Sequence, residues 1–127
     1  MSETDEHGFG FERLEIWRRA RGLAAAIYEV TGSFPKQEVY GLTMQLRRAS
    51  VSVAANIAEG TSRISRRDQV RFFEIAYGSL SEIAAILQIA ADQGLVSEGR
   101  LPQLRSEMQR MCRMLSGLRR SALGGTE

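Results

Sequence analysis

The sequence is poor in the residues from which catalytic and metal centres are made. It holds one cysteine, Cys112, and one histidine, His7, so no intrachain disulfide can form and the soft ligands of a zinc site are missing. Only two prolines occur, Pro35 and Pro102. Long tracts run without Gly-Pro or Asn-Gly punctuation, which disfavours a sheet of many short strands. There is no Walker loop, no Gly-x-Gly-x-x-Gly, no Gly-x-Ser-x-Gly and no Glu-x-x-His pair of the kind that di-iron bundles use. No signal peptide, twin-arginine leader or apolar run of membrane-spanning length is evident, and the expected location is cytoplasmic. These absences point away from an enzyme and away from metal or cofactor chemistry.

What is present reads as one helical domain. At 127 residues, with 43% hydrophobic and 25% charged side chains, the chain can build one core but not two. Its formal charge is only +2. Glu3, Asp5, Glu6 and Glu12 crowd the start and Glu127 ends the chain, however, so residues 13 to 126 carry 17 basic against 10 acidic side chains. The body is basic, which suits a polyanionic partner as well as plain solvation. We divide the chain into a flexible acidic tail over 1–10, a bundle over 11–122 and a C-terminal tail over 123–127. The acidic tail could cover a basic patch when no ligand is bound.

Four helices follow from the periodicity. Phe11, Leu14, Trp17, Ala20, Ala24 and Ile27 recur at spacings of three and four up to Gly32, which suits the left-handed residue after a helix, with Pro35 beyond it. A second pattern opens near Gln37 to Tyr40 and carries Leu42, Leu46, Ala49, Val53 and Asn56 or Ile57 to Gly60. Ser65, with Asp68 three residues on, opens a third helix that runs to Gln93 and stops at Gly94. The fourth starts between Ser97 and Pro102 and repeats Leu101, Leu104, Met108, Met111, Leu115, Leu118 and Ala122 as a heptad seam. Short connections between four helices predict an antiparallel, up-down-up-down four-helix bundle.

The third helix carries two apolar stripes side by side: Phe73, Tyr77, Leu80, Ala84, Leu87 and Ala91, then Phe72, Ala76, Ser79, Ile83, Ile86 and Ala90. Together they exceed the stripe of about 100° that one core needs. Either the helix lies centrally in its own bundle or it also faces another subunit. The favoured reading is a homo-oligomer whose interface uses Phe72, Ala76, Ile83 and Ile86. Asn56 either pairs inside that interface or lies at a stripe's edge. Cys112, Trp17 and the methionines Met108, Met111 and Met114 read as core packing rather than as reactive or stacking groups.

Arginines are the remaining candidates. Arg63, Arg66, Arg67 and Arg71 gather around a turn and the N-terminus of the third helix, where backbone N–H groups and the helix dipole favour anions. They form the expected nucleic-acid site, with phosphate as the natural ligand. Arg47 and Arg48 read as the polar side of a helix, and Glu59 can bond Arg63 four residues on.

The stretches "FPKQEVYGLTMQLRRASVSVAANIAEGTSR" and "RFFEIAYGSLSEI" together resemble the bacterial 23S rRNA-intervening sequence protein family. Phe34, Pro35, Tyr40, Gly41, Leu42, Arg48, Ala49, Ser52, Asn56 to Gly60 and Gly78 to Leu80 fall in register with its pattern, over about residues 11 to 122. Ala54 stands where a proline often occurs, and Pro102 comes early in the last helix. The resemblance implies a four-helix bundle, ring-like homopentamers, a role in binding RNA and no enzymatic activity. A related bundle, the accessory variability determinant of diversity-generating retroelements, is a basic pentamer that binds a reverse transcriptase and nucleic acid; it lacks the Asn-Ile-Ala-Glu-Gly run. The expected function is therefore non-enzymatic, oligomeric binding of structured RNA or other nucleic acid. The alternative is a scaffold or accessory subunit that docks a partner enzyme such as a reverse transcriptase or nuclease.

Overall fold

The computed structural model describes residues 8–124. The acidic side chains of Glu3, Asp5 and Glu6, and Glu127, lie outside the described residues. Phe9 and Gly10, assigned to the tail from sequence, belong to a 3-10 turn, Gly10–Arg13, closed by the Phe9 N–H donating to Glu12 Oε1 at 2.7 Å. Four long helices follow: α1 over Glu15–Thr31, α2 over Met44–Ser62, α3 over Arg66–Asp92 and α4 over Arg100–Ala122. Among the described residues there is no strand. The fold is all-α.

Helix ends follow the local chemistry, with one exception. Ser65 Oγ accepts the Asp68 N–H at 3.2 Å and so caps α3. At the other end Gly94 takes the left-handed conformation, φ +77°, and Leu95 N–H returns to Ala90 O at 3.0 Å. That is a Schellman closure, which glycine permits without a Cβ penalty. Gly32, expected in the same role after α1, is instead right-handed at φ −62°, continuing the helical path for one residue. The turn after it is made by Phe34, buried against the core, and Pro35.

The second helix begins later than its periodicity suggests. A 3-10 turn, Lys36–Glu38, and a widened π-type turn, Val39–Thr43, precede α2. Gly41 leaves helical geometry there (φ −110°, ψ −112°), and Glu38 accepts the Leu42 N–H in place of a helical carbonyl. Gly41 therefore ends the regular backbone ladder that the apolar spacing alone would have continued.

α2 packs between α1 and α3, α3 packs between α2 and α4, and α1 meets α4 more lightly. The α1–α4 contact is fastened by polar links: Arg19 donates to Glu107 at 2.9 and 3.1 Å, and Arg100 to Glu29 at 3.1 Å. Hydrogen bonds to Glu15 and then Glu107 hold the Arg19 guanidinium further toward its charged form. The core draws Ile16, Leu23 and Ile27 from α1, Leu46, Val53 and Ile57 from α2, and Met108, Met111 and Leu115 from α4. In α1 the buried stripe sits one residue away from Trp17, which is half-buried and packs edge-on to Phe11 at 4.8 Å.

Most of both apolar stripes of α3 is consumed inside this one chain, although Tyr77 stays 42% exposed and Phe72 half-exposed. Phe73, Leu80 and Leu87 are buried, and so are Ala76 (0%), Ile83 (0%) and Ile86 (7%). Placing Ala76, Ile83 and Ile86 at a subunit interface is thereby corrected. A helix packed between two neighbours needs a double-width apolar face, and α3 is that helix. It also holds an 18-residue window of mean hydropathy 1.3, long and apolar enough to cross a membrane. The expectation that no such run occurs is thereby corrected; 33% of the window is buried within the chain.

Candidate nucleic-acid interface

The turn between α2 and α3 is short and fully specified by side chains. Thr61 Oγ1 donates to Ile57 O at 2.7 Å and Ser62 Oγ to Glu59 O at 2.9 Å, using up carbonyls of the last turn of α2. Arg63 then turns extended (φ −78°, ψ 143°), and Gln69 Nε2 donates to its carbonyl at 2.9 Å. That bond ties the first turn of α3 back to the end of α2. Ile64, at the apex, is 99% exposed.

The four expected arginines separate into two kinds. Arg63 pairs with Glu59, as its spacing predicts, and its guanidinium also lies over the Phe72 ring, 4.9 Å from the centroid. Arg71 stacks on the same ring at 4.5 Å. Phe72 thus joins two arginines that are eight residues apart in sequence, through attraction of cations to the ring quadrupole. Arg66 and Arg67 are exposed and make no hydrogen bond, ion pair or ring contact among the described residues. Arg67 and Arg71, four residues apart, share a face of α3, whereas Arg66 lies about 100° round the helix. Three of the four therefore converge on one surface and the fourth flanks it.

Two features of this surface escaped the sequence reading. Phe72 is half-exposed and serves as the platform for Arg63 and Arg71. Every basic side chain except Lys36 is an arginine. That bias was readable from composition, and it suits planar recognition of phosphate and stacking on rings better than lysine would.

The other arginine pair is also divided. Arg47 is structural: Nε donates to Thr31 Oγ1 at 2.8 Å, a terminal nitrogen donates to Tyr28 O at 3.3 Å, and the guanidinium lies over the Tyr28 ring. It satisfies the C-terminal end of α1, where carbonyls and dipole both favour a cation. Arg48 is exposed and has no partner among the described residues. Asn56 is half-buried and stays inside the chain, donating to Ser52 O at 2.8 Å and Ser52 Oγ at 3.0 Å. Ser52 in turn meets Ser79 Oγ of α3 at 2.8 Å. Asn56 thus serves the α2–α3 contact.

Burial pushes the Cys112 thiol up, against weaker opposing effects of Tyr77 and Arg113, the reverse of what a nucleophilic thiolate requires. Among the described residues no three His, Cys, Asp or Glu side chains come together as a metal-ligand set. His7 lies outside the described residues.

The family model described as "23S rRNA-intervening sequence protein" matches residues 12–117, spanning α1, α2, α3 and most of α4. The chain belongs to that family. No curated protein matches it. A solved structure with the same fold is a protein with unknown function from the S23 ribosomal protein family of Bacteroides thetaiotaomicron. It is 18% identical, superposes with a TM-score of 0.73, and the match covers 82% of this chain and 97% of that one. The 23S rRNA-intervening sequence fold in this chain thus carries its arginine cluster at the α2–α3 end.

Proposed function

We propose that this chain is a non-enzymatic, oligomeric binding protein that contacts nucleic acid, structured RNA above all, through Arg63, Arg66, Arg67 and Arg71. The observation that carries this reading is the state of Arg66 and Arg67: exposed and unpartnered, at the capped N-terminus of α3. Arg71 and Arg63 extend the surface from the Phe72 platform. Such a site reads phosphate geometry and tolerates sequence, because it presents guanidinium groups and no donor–acceptor pattern matched to a base edge. The name of the family and the basic balance of residues 13 to 126 point the same way.

In this reading the helices run up-down-up-down and antiparallel. Arg19, early in α1, meets Glu107 well inside α4, while Glu29, late in α1, meets Arg100 at the start of α4. Copies close into a ring, a pentamer as in the resemblance above, and repetition of the arginine surface multiplies weak phosphate contacts. The protein works in the cytoplasm without a cofactor.

The test is fluorescence anisotropy of a short structured RNA over a salt series. Affinity falls steeply with salt, and Arg66→Ala with Arg67→Ala lowers the log–log slope by about 2, roughly one per lost phosphate contact. No binding at low salt, or an unchanged slope in the double variant, overturns the reading. One observation favours the rival scaffold reading, in which the partner is an enzyme such as a reverse transcriptase or nuclease: Ile64 is wholly exposed at the apex of the turn. An Ile64→Ser variant that keeps RNA affinity but loses capture of one protein at high salt would support it.

A further inference from the structure

The side of α2 that faces away from the core is apolar where a solvated helix would be polar. Met44 and Val51 are exposed, and with Arg48 and Ala55 they recur at spacings of four, three and four. That is the period of a seam that packs on another helix. α3 carries a matching stripe outside the two that the core consumes. Ile75, Gly78, Glu82, Ala85 and Ile89 are all exposed and alternate in threes and fours. A Cβ built on Gly78 meets no atom within 4 Å, so the surface is open there to an incoming helix.

Charge decides which stripe fits which. Each holds one charged residue near its middle, Arg48 on α2 and Glu82 on α3, and neither makes a hydrogen bond or ion pair among the described residues. Setting α2 on α2 of a second copy would bring arginine toward arginine, and α3 on α3 would bring glutamate toward glutamate. Only α2 on α3 opposes the two signs. With the stripes centred on each other, Arg48 and Glu82 fall within about 3 Å along the helix axis in either helix direction. Nucleic acid suits the face less well, because Glu82 repels phosphate.

We infer that α2 of one copy docks on α3 of a second copy of this chain, apolar stripe against apolar stripe, with Arg48 pairing with Glu82 across the contact. This rests on the self-association in the proposed function and names the surface that produces it. The interface is thus made by the outward sides of α2 and α3, while Ala76, Ile83 and Ile86 remain in the core.

Sedimentation equilibrium of the full chain tests it, with helicity followed by circular dichroism. The wild type sediments as a multiple of 14.1 kDa. Arg48→Glu and Glu82→Arg, each opposing like charges, weaken association by about tenfold or more, and the double reversal restores it. Val51→Lys weakens it with no rescue. A wild type at monomer mass overturns self-association itself. An oligomer that none of these variants weakens overturns the α2–α3 surface and leaves self-association standing. Loss of RNA affinity in Arg48→Glu at unchanged mass gives this face to nucleic acid and also overturns the inference.

Discussion

The ring of Phe73 stands where a side chain on Gly60 would have to go. A Cβ at Gly60 would lie 2.7 Å from Phe73 Cε1 and 3.1 Å from Phe72 Cβ. The last full turn of α2 thus touches the first turns of α3 with no room for a methyl group, and the arginine-bearing turn is held tight by that contact. Alanine gains about 1 kcal/mol over glycine in a helix, but overpacking here costs about 1–3 kcal/mol. Gly60→Ala is expected to lower stability to urea by up to about 2 kcal/mol on balance. A more stable variant would mean that the two helices can separate freely.

Ile83 separates core from interface. It is fully enclosed in one chain, so Ile83→Ala should cost about 2–5 kcal/mol by lost burial and residual cavity. Its melting temperature should fall below that of the wild type by the same interval at dilute and at concentrated protein. A difference that widens with concentration would return Ile83 to a subunit contact.

Ser52 is the centre of a three-residue link, since it meets Ser79 Oγ at 2.8 Å and receives Asn56 Nδ2 at 3.0 Å. Ser79→Ala leaves Ser52 its bond from Asn56 and should cost about 1 kcal/mol. Ser52→Ala strips a partner from both neighbours and should cost more. Equal losses in chemical denaturation would show that the link contributes nothing beyond its separate bonds.

Cys112 should alkylate late in a pH series. Burial disfavours the thiolate, so at any given pH the folded protein holds less of the reactive form than a free cysteine does. The iodoacetamide rate in the folded protein should rise with a midpoint above that of the same protein in denaturant. Tyr77→Phe removes a hydrogen bond that favours the thiolate and should move the midpoint higher still. Coincident midpoints in folded and denatured protein would contradict the burial.

Much of the architecture is legible in one dimension. The heptad seam of α4, from Leu104 through Met108 and Met111 to Leu115, is buried as its spacing predicts, because three-four alternation has only one helical face to occupy. Ser65 and Gly94 mark their helix ends through side-chain and backbone chemistry that acts within a few residues. Gly32 misleads because a helix can close with glycine in a right-handed conformation, and nothing local forbids it. The late start of α2 depends on Glu38 accepting the Leu42 N–H, a choice that apolar periodicity does not register.

The sequence by itself determined the number of helices, most of their ends, the apolar faces they bury and the basic character of the folded part, since all of these arise from interactions within a turn or two of chain. Tertiary structure decided what each face touches. It put α3 between two neighbours, and so turned a double apolar stripe into core. It brought Phe72 under Arg63 and Arg71, and left Arg66, Arg67, Arg48 and Glu82 without partners among the described residues. Spacing encodes a pair within one helix, such as Glu59 with Arg63, but whether a charge meets a partner from another helix depends on which helix lies within about 4 Å, and no spacing along the chain encodes that distance.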